Sequence, residues 1–270
     1  LIVAPPHGTT GLDAPIRDEV LLIEEWPAAG KGTGAGDPGT ASPNIPLTAN
    51  REPRADLAAP LGGVLRLRLI NATPRRMLSF LLPDMSPSVI AIDGEDAEPF
   101  PPRDRQIVLA PGNRMDVLLS FPAHANAAQG QAAPILVHDG IRARTIALIR
   151  IAAPNALPDA HPASPAPTSP QSGIAAPAPE RPNLTGAQRV ELAFMPPLSG
   201  HTANAGPWRL EDAPAPASPA FTAVRGRTIS LALRNDFAAP IAIHIGGHRA
   251  RLLDRLDDGW KPFWLDTIAV

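Results

Sequence analysis

The chain has 270 residues, enough for one large domain or two of ordinary size, and its net charge of −2 argues against a nucleic-acid-binding or membrane-surface protein. It contains 0 cysteines, which excludes disulfides, thiolate metal sites and cysteine nucleophiles. No run of about 18 apolar residues occurs, so no membrane span is expected, and 35 prolines predict a low helix content.

The predicted elements are short β-strands separated by turn residues. A first strand is expected at residues 1–3, and residues 28–46, rich in glycine and proline, are expected to form a long loop. Further strands are predicted at residues 20–23, 62–71, 77–82, 88–92, 105–109, 115–121, 135–138 and 145–151. Turn signals occur at residues 93–94 and 111–113.

The strand at 62–71 has the clearest pattern in the chain. Leu65, Leu67 and Leu69 alternate with Arg66 and Arg68, so the leucines share one face and the arginines the other. We expect the leucine face to be buried and the arginine face to be solvated. An anion site built on the two arginines is the alternative.

Strand spacing also predicts the organisation of the chain. Strands with turns between them over residues 16–152 indicate one complete Greek-key sandwich or barrel. Residues 153–185 are rich in alanine, proline and serine and predict an extended linker. A second β region is expected over residues 186–270. The predicted fold class is therefore all-β, with two units.

An internal repeat relates these two units. Residues 62–71 align with residues 226–235, with the same spacing from glycine to asparagine, and residues 105–109 resemble residues 266–270. The first copy continues into further strands, so we expect the second unit to be incomplete at its C-terminal end. Two unrelated β-sheets could produce the same pattern by chance, which is the alternative interpretation.

Three stretches resemble the multicopper oxidase family, the laccase-like enzymes built from cupredoxin β-barrels. They are LRLRLINATPRRMLSFLLPDMSPSVIAIDGEDAEPF at 65–100, VLAPGNRMDVLLSF at 108–121, and the closing stretch at 226–270. The resemblance implies that residues 16–152 are the middle cupredoxin-like domain and residues 186–270 part of the last. It also implies that residues 1–15 are the tail strand and linker of a first domain; an edge strand of the middle domain is the alternative.

In this family, His-x-His pairs hold a three-copper cluster between the first and last domains, and residues i and i+2 of a strand share a face. The last-domain motif is His-x-x-His-x-His. One alignment places its histidine positions at Ile241, His244 and Gly246; another places them at Ala239, Ala242 and His244. Both leave His244 as the single histidine of the motif. We expect His244 to face away from Ile241, Ile243 and Ile245, which share the other strand face.

The role of His244 has two interpretations. It is a copper ligand that remains from the trinuclear motif, or it is a scaffold or surface histidine. His248 is a second, weaker candidate ligand. A single imidazole makes a poor copper site, since copper takes several ligands, and without cysteine the chain cannot form a blue-copper centre of the His-His-Cys kind.

The resemblance implies a laccase-like oxidoreductase with copper as cofactor, in which one-electron oxidation of a donor is coupled to reduction of dioxygen to water. The implied partners are a small-molecule or metal-ion electron donor and the missing first domain and C-terminus of the same protein. The implied location is periplasmic or secreted. Because His244 is one of three expected ligands, we expect this chain to be inactive alone, and we assign it no catalytic residue.

Two other functions remain open at this point. One is a metal-free cupredoxin-like module with a structural or binding role. The other is a copper carrier that uses His244 with Met77, Met85 and Met115, although no spacing favours it.

Overall fold

The structure is a computed structural model, and it describes residues 16–26, 46–121, 132–152, 183–196, 209–211, 219–253 and 261–270. The strand predicted at residues 1–3 and most of the predicted linker and loop fall outside these ranges. Within them, regular structure is β-strand apart from one 3-10 turn at Arg103–Arg105, which confirms the all-β prediction. No described helix is long and apolar enough to cross a membrane.

Eleven strands lie in the first part of the chain. They are β1 (Ile16–Glu25), β2 (Leu47–Ala49), β3 (Ala55–Pro60), β4 (Gly63–Asn71), β5 (Leu78–Leu81), β6 (Ser88–Ile92), β7 (Glu95–Phe100), β8 (Gln106–Leu109), β9 (Arg114–Phe121), β10 (Ala132–His138) and β11 (Ala143–Ala152). Five more follow: β12 (Gln188–Met195), β13 (Arg209–Leu210), β14 (Ile229–Asn235), β15 (Ala242–His244) and β16 (Thr267–Ala269).

Two sheets enclose the main hydrophobic core. One has the order β2-β1-β4-β9-β6-β7 and the other β3-β11-β10-β5-β8. Pairing is antiparallel except for β1 with β4 and β3 with β11, which are parallel. Antiparallel neighbours can be joined by tight turns, whereas the parallel pairs require longer crossover connections. We call these two facing sheets the first sandwich.

The leucine face of β4 lies at the centre of this core. Leu65, Leu67 and Leu69 are each 0% exposed and pack with residues of the opposite sheet such as Phe80 and Ile149. Burial of one such side chain stabilises the fold by roughly 1.5–3 kcal/mol. The prediction of a buried leucine face is therefore confirmed.

The expectation of a solvated arginine face is wrong. Arg66 is only 7% exposed, and its Nη2 lies 2.5 Å from a carboxylate oxygen of Asp116 on β9. Arg68 forms a pair of the same length with Asp18 on β1. The acidic partners lie on neighbouring strands that are far away in sequence. Their negative charges neutralise the arginines, and the arginine side chains can therefore be largely buried.

A second buried ion network joins the two sheets at one end. Arg76 lies 2.6 Å from Glu25 and 3.0 Å from Asp139, and all three side chains are at least nine-tenths buried. Burial raises the pKa of Glu25 above its usual value, although the nearby arginines oppose the change. Burial also acts to raise the pKa of Asp139, but hydrogen bonds from the backbone N–H groups of Arg142 and Ile141 and the charge of Arg76 outweigh it, so this pKa is lowered.

The described strands after residue 183 repeat part of the strand arrangement of the first sandwich. The order β13-β12-β14 matches β2-β1-β4, with β12 and β14 parallel and β12 and β13 antiparallel. The residue after β14 donates its backbone N–H to Phe194 O at 2.9 Å, as the residue after β4 does to Ile23 O. The internal repeat read from the sequence is thus present in the structure.

Candidate functional site

His244 is the last residue of β15 and pairs with Thr267 of β16. Its side chain is 60% exposed, whereas Ile241, Ile243 and Ile245 are half-buried. The imidazole Nδ1 lies 3.1 Å from Thr267 Oγ1 and 3.6 Å from Asp266 Oδ1. The exposed histidine and the half-buried isoleucines therefore lie on opposite faces of the strand, as expected. The described residues bury the isoleucines only in part.

The second candidate, His248, lies in the turn that follows β15. Its backbone N–H donates to Ile245 O at 3.2 Å, Gly247 adopts the left-handed conformation with φ of 74°, and the side chain of His248 is exposed. Within the described ranges, no three histidine, aspartate or glutamate side chains form a group that could hold a metal ion.

A buried carboxylate beside His244 organises this region. Asp93 has a side chain that is 0% exposed, and it accepts hydrogen bonds from the backbone N–H groups of Arg114, Asp266 and Thr267 at 3.1–3.2 Å. The side-chain amide of Asn113 donates to Asp93 at 3.1 Å and to Thr267 O at 3.0 Å. We call Asp93, Asn113, Arg114, Asp266 and Thr267 the Asp93 clasp, because they join the first sandwich to β16.

An ion pair reinforces the clasp. The two terminal nitrogens of Arg114 donate to the two carboxylate oxygens of Asp266 at 3.0 and 2.8 Å, which is the bidentate geometry that guanidinium groups favour. Burial by itself would raise the pKa of the Asp266 carboxyl, but hydrogen bonds from Arg114 and Thr267 and the charges of Arg114 and His244 outweigh burial. The pKa of Asp266 therefore lies below its usual value.

Aromatic and charged contacts extend this junction. The rings of Phe100 and Phe263 stack with centroids 6.3 Å apart, and Arg249 pairs with Glu95 at 2.5 Å. The half-buried Leu265 packs against the core of the first sandwich. Arg249, Phe263 and Leu265 thus anchor the described residues around β16 to the first sandwich at points besides the clasp.

Sequence patterns alone did not predict the clasp. Asp93 and Asn113 were interpreted only as turn residues, and Arg114 and Asp266 only as parts of a resemblance or a repeat. One feature of the sequence could have indicated it. Each of the three segments that contribute to the clasp has a polar residue at the end of a predicted strand. Only their convergence in space reveals that these residues form one cluster.

The donors around His244 do not fit a copper centre by themselves. The described residues there offer one imidazole, one hydroxyl, and a carboxylate already neutralised by Arg114. Copper sites in proteins are built mainly from several imidazole or sulfur ligands. Met85 and Met115 pack with the hydrophobic core of the first sandwich, so the copper-carrier interpretation gains no support.

Comparison with known proteins gives the same family as the sequence resemblance. Residues 30–130 match the family model described as multicopper oxidase. No curated protein matches the chain. The match confirms the family resemblance for residues 30–130.

Solved structures of multicopper oxidases share the fold. The enzyme from Pseudomonas thermotolerans is 21% identical with a TM-score of 0.65, over 97% of this chain and 60% of that one. A laccase-like CueO from Ochrobactrum sp. is 17% identical with a TM-score of 0.66, over 94% and 58%. Fet3p, a multicopper oxidase that functions in iron import, is 13% identical with a TM-score of 0.62, over 98% and 60%. The chain therefore spans at most 60% of the length of these proteins.

Proposed function

We propose that this chain, whose residues 30–130 match the multicopper oxidase family, is part of a laccase-like copper oxidoreductase and supplies its cupredoxin-like framework. In this proposal, residues 16–152 are the middle domain, residues 153–185 a linker and residues 186–270 part of the last domain. The observation that carries the proposal is the family match, supported by the shared fold of multicopper oxidase structures.

The proposal also specifies partners and location. The other cupredoxin domains of the same enzyme complete the framework, and a small molecule or metal ion donates the electrons. Copper, when bound in the complete enzyme, supplies the one-electron redox chemistry that ends in reduction of dioxygen. A periplasmic or secreted location follows from the family alone.

We propose further that these 270 residues do not carry out the reaction by themselves. The chain contains 0 cysteines, and the described part of the last-domain motif presents His244 as its single imidazole. The contribution of the chain is then structural. The Asp93 clasp holds β16 against the first sandwich and so determines where β15 presents His244.

Copper loading tests the claim about this chain. The purified chain is incubated with cupric salt and desalted, and its metal content and visible spectrum are measured beside those of the variant His244→Ala. We expect both proteins to retain far less than one copper per chain and to show no visible absorption band. Stoichiometric copper that disappears in His244→Ala would contradict the proposal.

The family claim is tested separately, by the sequence of the gene around this region. His-x-His pairs together with a His-Cys-His segment in the flanking sequence support the oxidase. Their absence overturns the oxidase and favours the rival function, a metal-free cupredoxin-like module.

A further inference from the structure

We infer that Thr267 positions the imidazole of His244 and fixes it in the tautomer that carries its proton on Nδ1. The inference goes beyond the proposed function, because it concerns the metal-free chain and does not require copper. It rests on three atoms that lie within 3.6 Å of one another, which are the Nδ1 of His244, the Oγ1 of Thr267 and the Oδ1 of Asp266.

The hydroxyl of Thr267 has one proton to donate and two candidate partners. Its Oγ1 lies 2.7 Å from Asp266 Oδ1 and 3.1 Å from His244 Nδ1. A carboxylate can only accept, whereas a neutral imidazole has one donating and one accepting nitrogen. The hydroxyl proton therefore points to Asp266, and the hydroxyl oxygen is left to accept from the ring. Nδ1 must then be the nitrogen that carries the proton.

Two further contacts support the same assignment. Asp266 is held by both terminal nitrogens of Arg114, and these bonds require an ionised carboxylate that accepts the hydroxyl proton. Its Oδ1 also lies 3.6 Å from His244 Nδ1, so the acceptors nearest to this nitrogen are an anionic oxygen and a hydroxyl oxygen. A protonated Nδ1 is attracted to both, whereas an unprotonated Nδ1 is repelled by the carboxylate.

The clasp also holds the Thr267 side chain in place. Thr267 is only 3% exposed, and its backbone N–H and C=O bond to Asp93 and Asn113. Its Cγ2 and Oγ1 both lie beside Gly112, 3.7 and 3.9 Å from the position that a Cβ on this glycine would occupy. The backbone bonds fix the residue, and the hydroxyl contacts both Asp266 and His244.

The consequence concerns the other ring nitrogen. With the proton on Nδ1, the neutral ring keeps its free lone pair on Nε2, which becomes the atom that accepts a hydrogen bond or binds a cation. The histidine side chain is 60% exposed, so the ring remains accessible. Thr267 is thus a positioning residue that decides which nitrogen of His244 is available.

Nitrogen NMR of the full chain tests this inference. The chain is labelled with 15N-histidine and measured at about pH 8, above the ordinary imidazole pKa of about 6.5, by long-range proton–nitrogen correlation. The signal of His244 is assigned by its loss in His244→Gln. We expect a pyrrole-like shift for Nδ1 and a pyridine-like shift for Nε2, with the exposed residue His248 measured for comparison.

Two variants separate positioning from packing, because one removes only the hydroxyl character and the other only the methyl group of Thr267. Thr267→Val removes the hydroxyl but keeps the shape, so we expect His244 to change to the Nε2–H tautomer that free histidine favours in water. Thr267→Ser keeps the hydroxyl and is expected to retain the Nδ1–H tautomer. A wild-type His244 that is mainly Nε2–H overturns the inference, even if Thr267→Val does not fold. An unchanged Nδ1–H signal in a folded Thr267→Val overturns the role of the hydroxyl.

Discussion

Asn71 and Asn235 hold the same position in two different sheets and make matching hydrogen bonds. The side-chain amide of Asn71 donates to Leu109 O, and that of Asn235 donates to Val270 O, both at 2.9 Å. Each side-chain oxygen accepts the backbone N–H two residues later, at 3.0 and 2.9 Å respectively. Asn71 thus connects the end of β4 to the end of β8, and Asn235 connects the end of β14 to the residue that follows β16.

The two asparagines differ in burial, which predicts different effects of their removal. Asn71 is 0% exposed, whereas Asn235 is half-buried, so water can replace the bonds that Asn235 makes. We expect Asn71→Ala to lower the free energy of unfolding by about 2–4 kcal/mol and Asn235→Ala by about 1 kcal/mol, because unpaired buried carbonyls are costly. Urea unfolding followed by circular dichroism measures both. Equal losses would contradict the argument from burial.

The repeat supplies a matched pair of leucines for a second prediction. Leu67 on β4 is 0% exposed, and its equivalent Leu231 on β14 is half-buried. Leu67→Ala leaves a cavity in a closed core and is expected to cost about 3 kcal/mol of unfolding free energy. Leu231→Ala is expected to cost about 1 kcal/mol, because less apolar area returns to water. A larger loss for Leu231→Ala, measured by the same urea unfolding, would mean that β14 is more deeply packed than the structure indicates.

The ion pair of Arg114 and Asp266 is expected to show measurable coupling. A double-mutant cycle of Arg114→Gln and Asp266→Asn should give about 1 kcal/mol, because the pair is bidentate but about a third of the Arg114 side chain is exposed. The pair of Arg150 and Asp56 is about half exposed on both sides and is the control, with expected coupling near zero. Coupling at the control pair that equals or exceeds that of Arg114 and Asp266 would contradict the prediction.

Asp139 is expected to make the chain sensitive to acid. Its pKa is lowered in the folded state, so its contribution to stability is present above the unfolded aspartate value of about 3.9 and is lost as pH falls through the folded value. We expect Asp139→Asn to unfold more readily in urea at neutral pH. The difference from the wild type should shrink as the pH falls below about 4.

Glu25 in the same network provides a control, because its effect on stability changes with pH in the opposite direction to that of Asp139. Burial raises its pKa, so the stability that it contributes is present below the unfolded glutamate value of about 4.3 and is lost as pH rises through the folded value. In the wild type, Glu25 offsets part of the stability that Asp139 loses in acid. The variant Glu25→Gln lacks this effect, so we expect its free energy of unfolding to fall more steeply on acidification than that of the wild type. A shallower fall, measured by urea midpoints between about pH 2 and 7, would contradict the assignment.

The fold class, most strands and the internal repeat could be predicted from the amino-acid sequence alone. Alternation in β4 identified the buried leucines, because the side chains of a strand point to opposite faces whatever surrounds it. The turn at residues 93–94 was also correctly predicted, since both residues adopt positive φ. The strand that follows it, β7, was missed because EDAEPF has no apolar alternation, and β2 and β3 were missed as well.

The roles of the polar residues depend on contacts that form when the chain folds. Whether Arg66 is solvated or paired depends on Asp116, which lies 50 positions away, and whether Asp93 is a turn residue or the centre of a clasp depends on residues more than 170 positions away. Local periodicity reports which face of a strand a side chain occupies. A hydrogen bond or an ion pair depends on the distance between two atoms, and the packing of remote strands sets that distance.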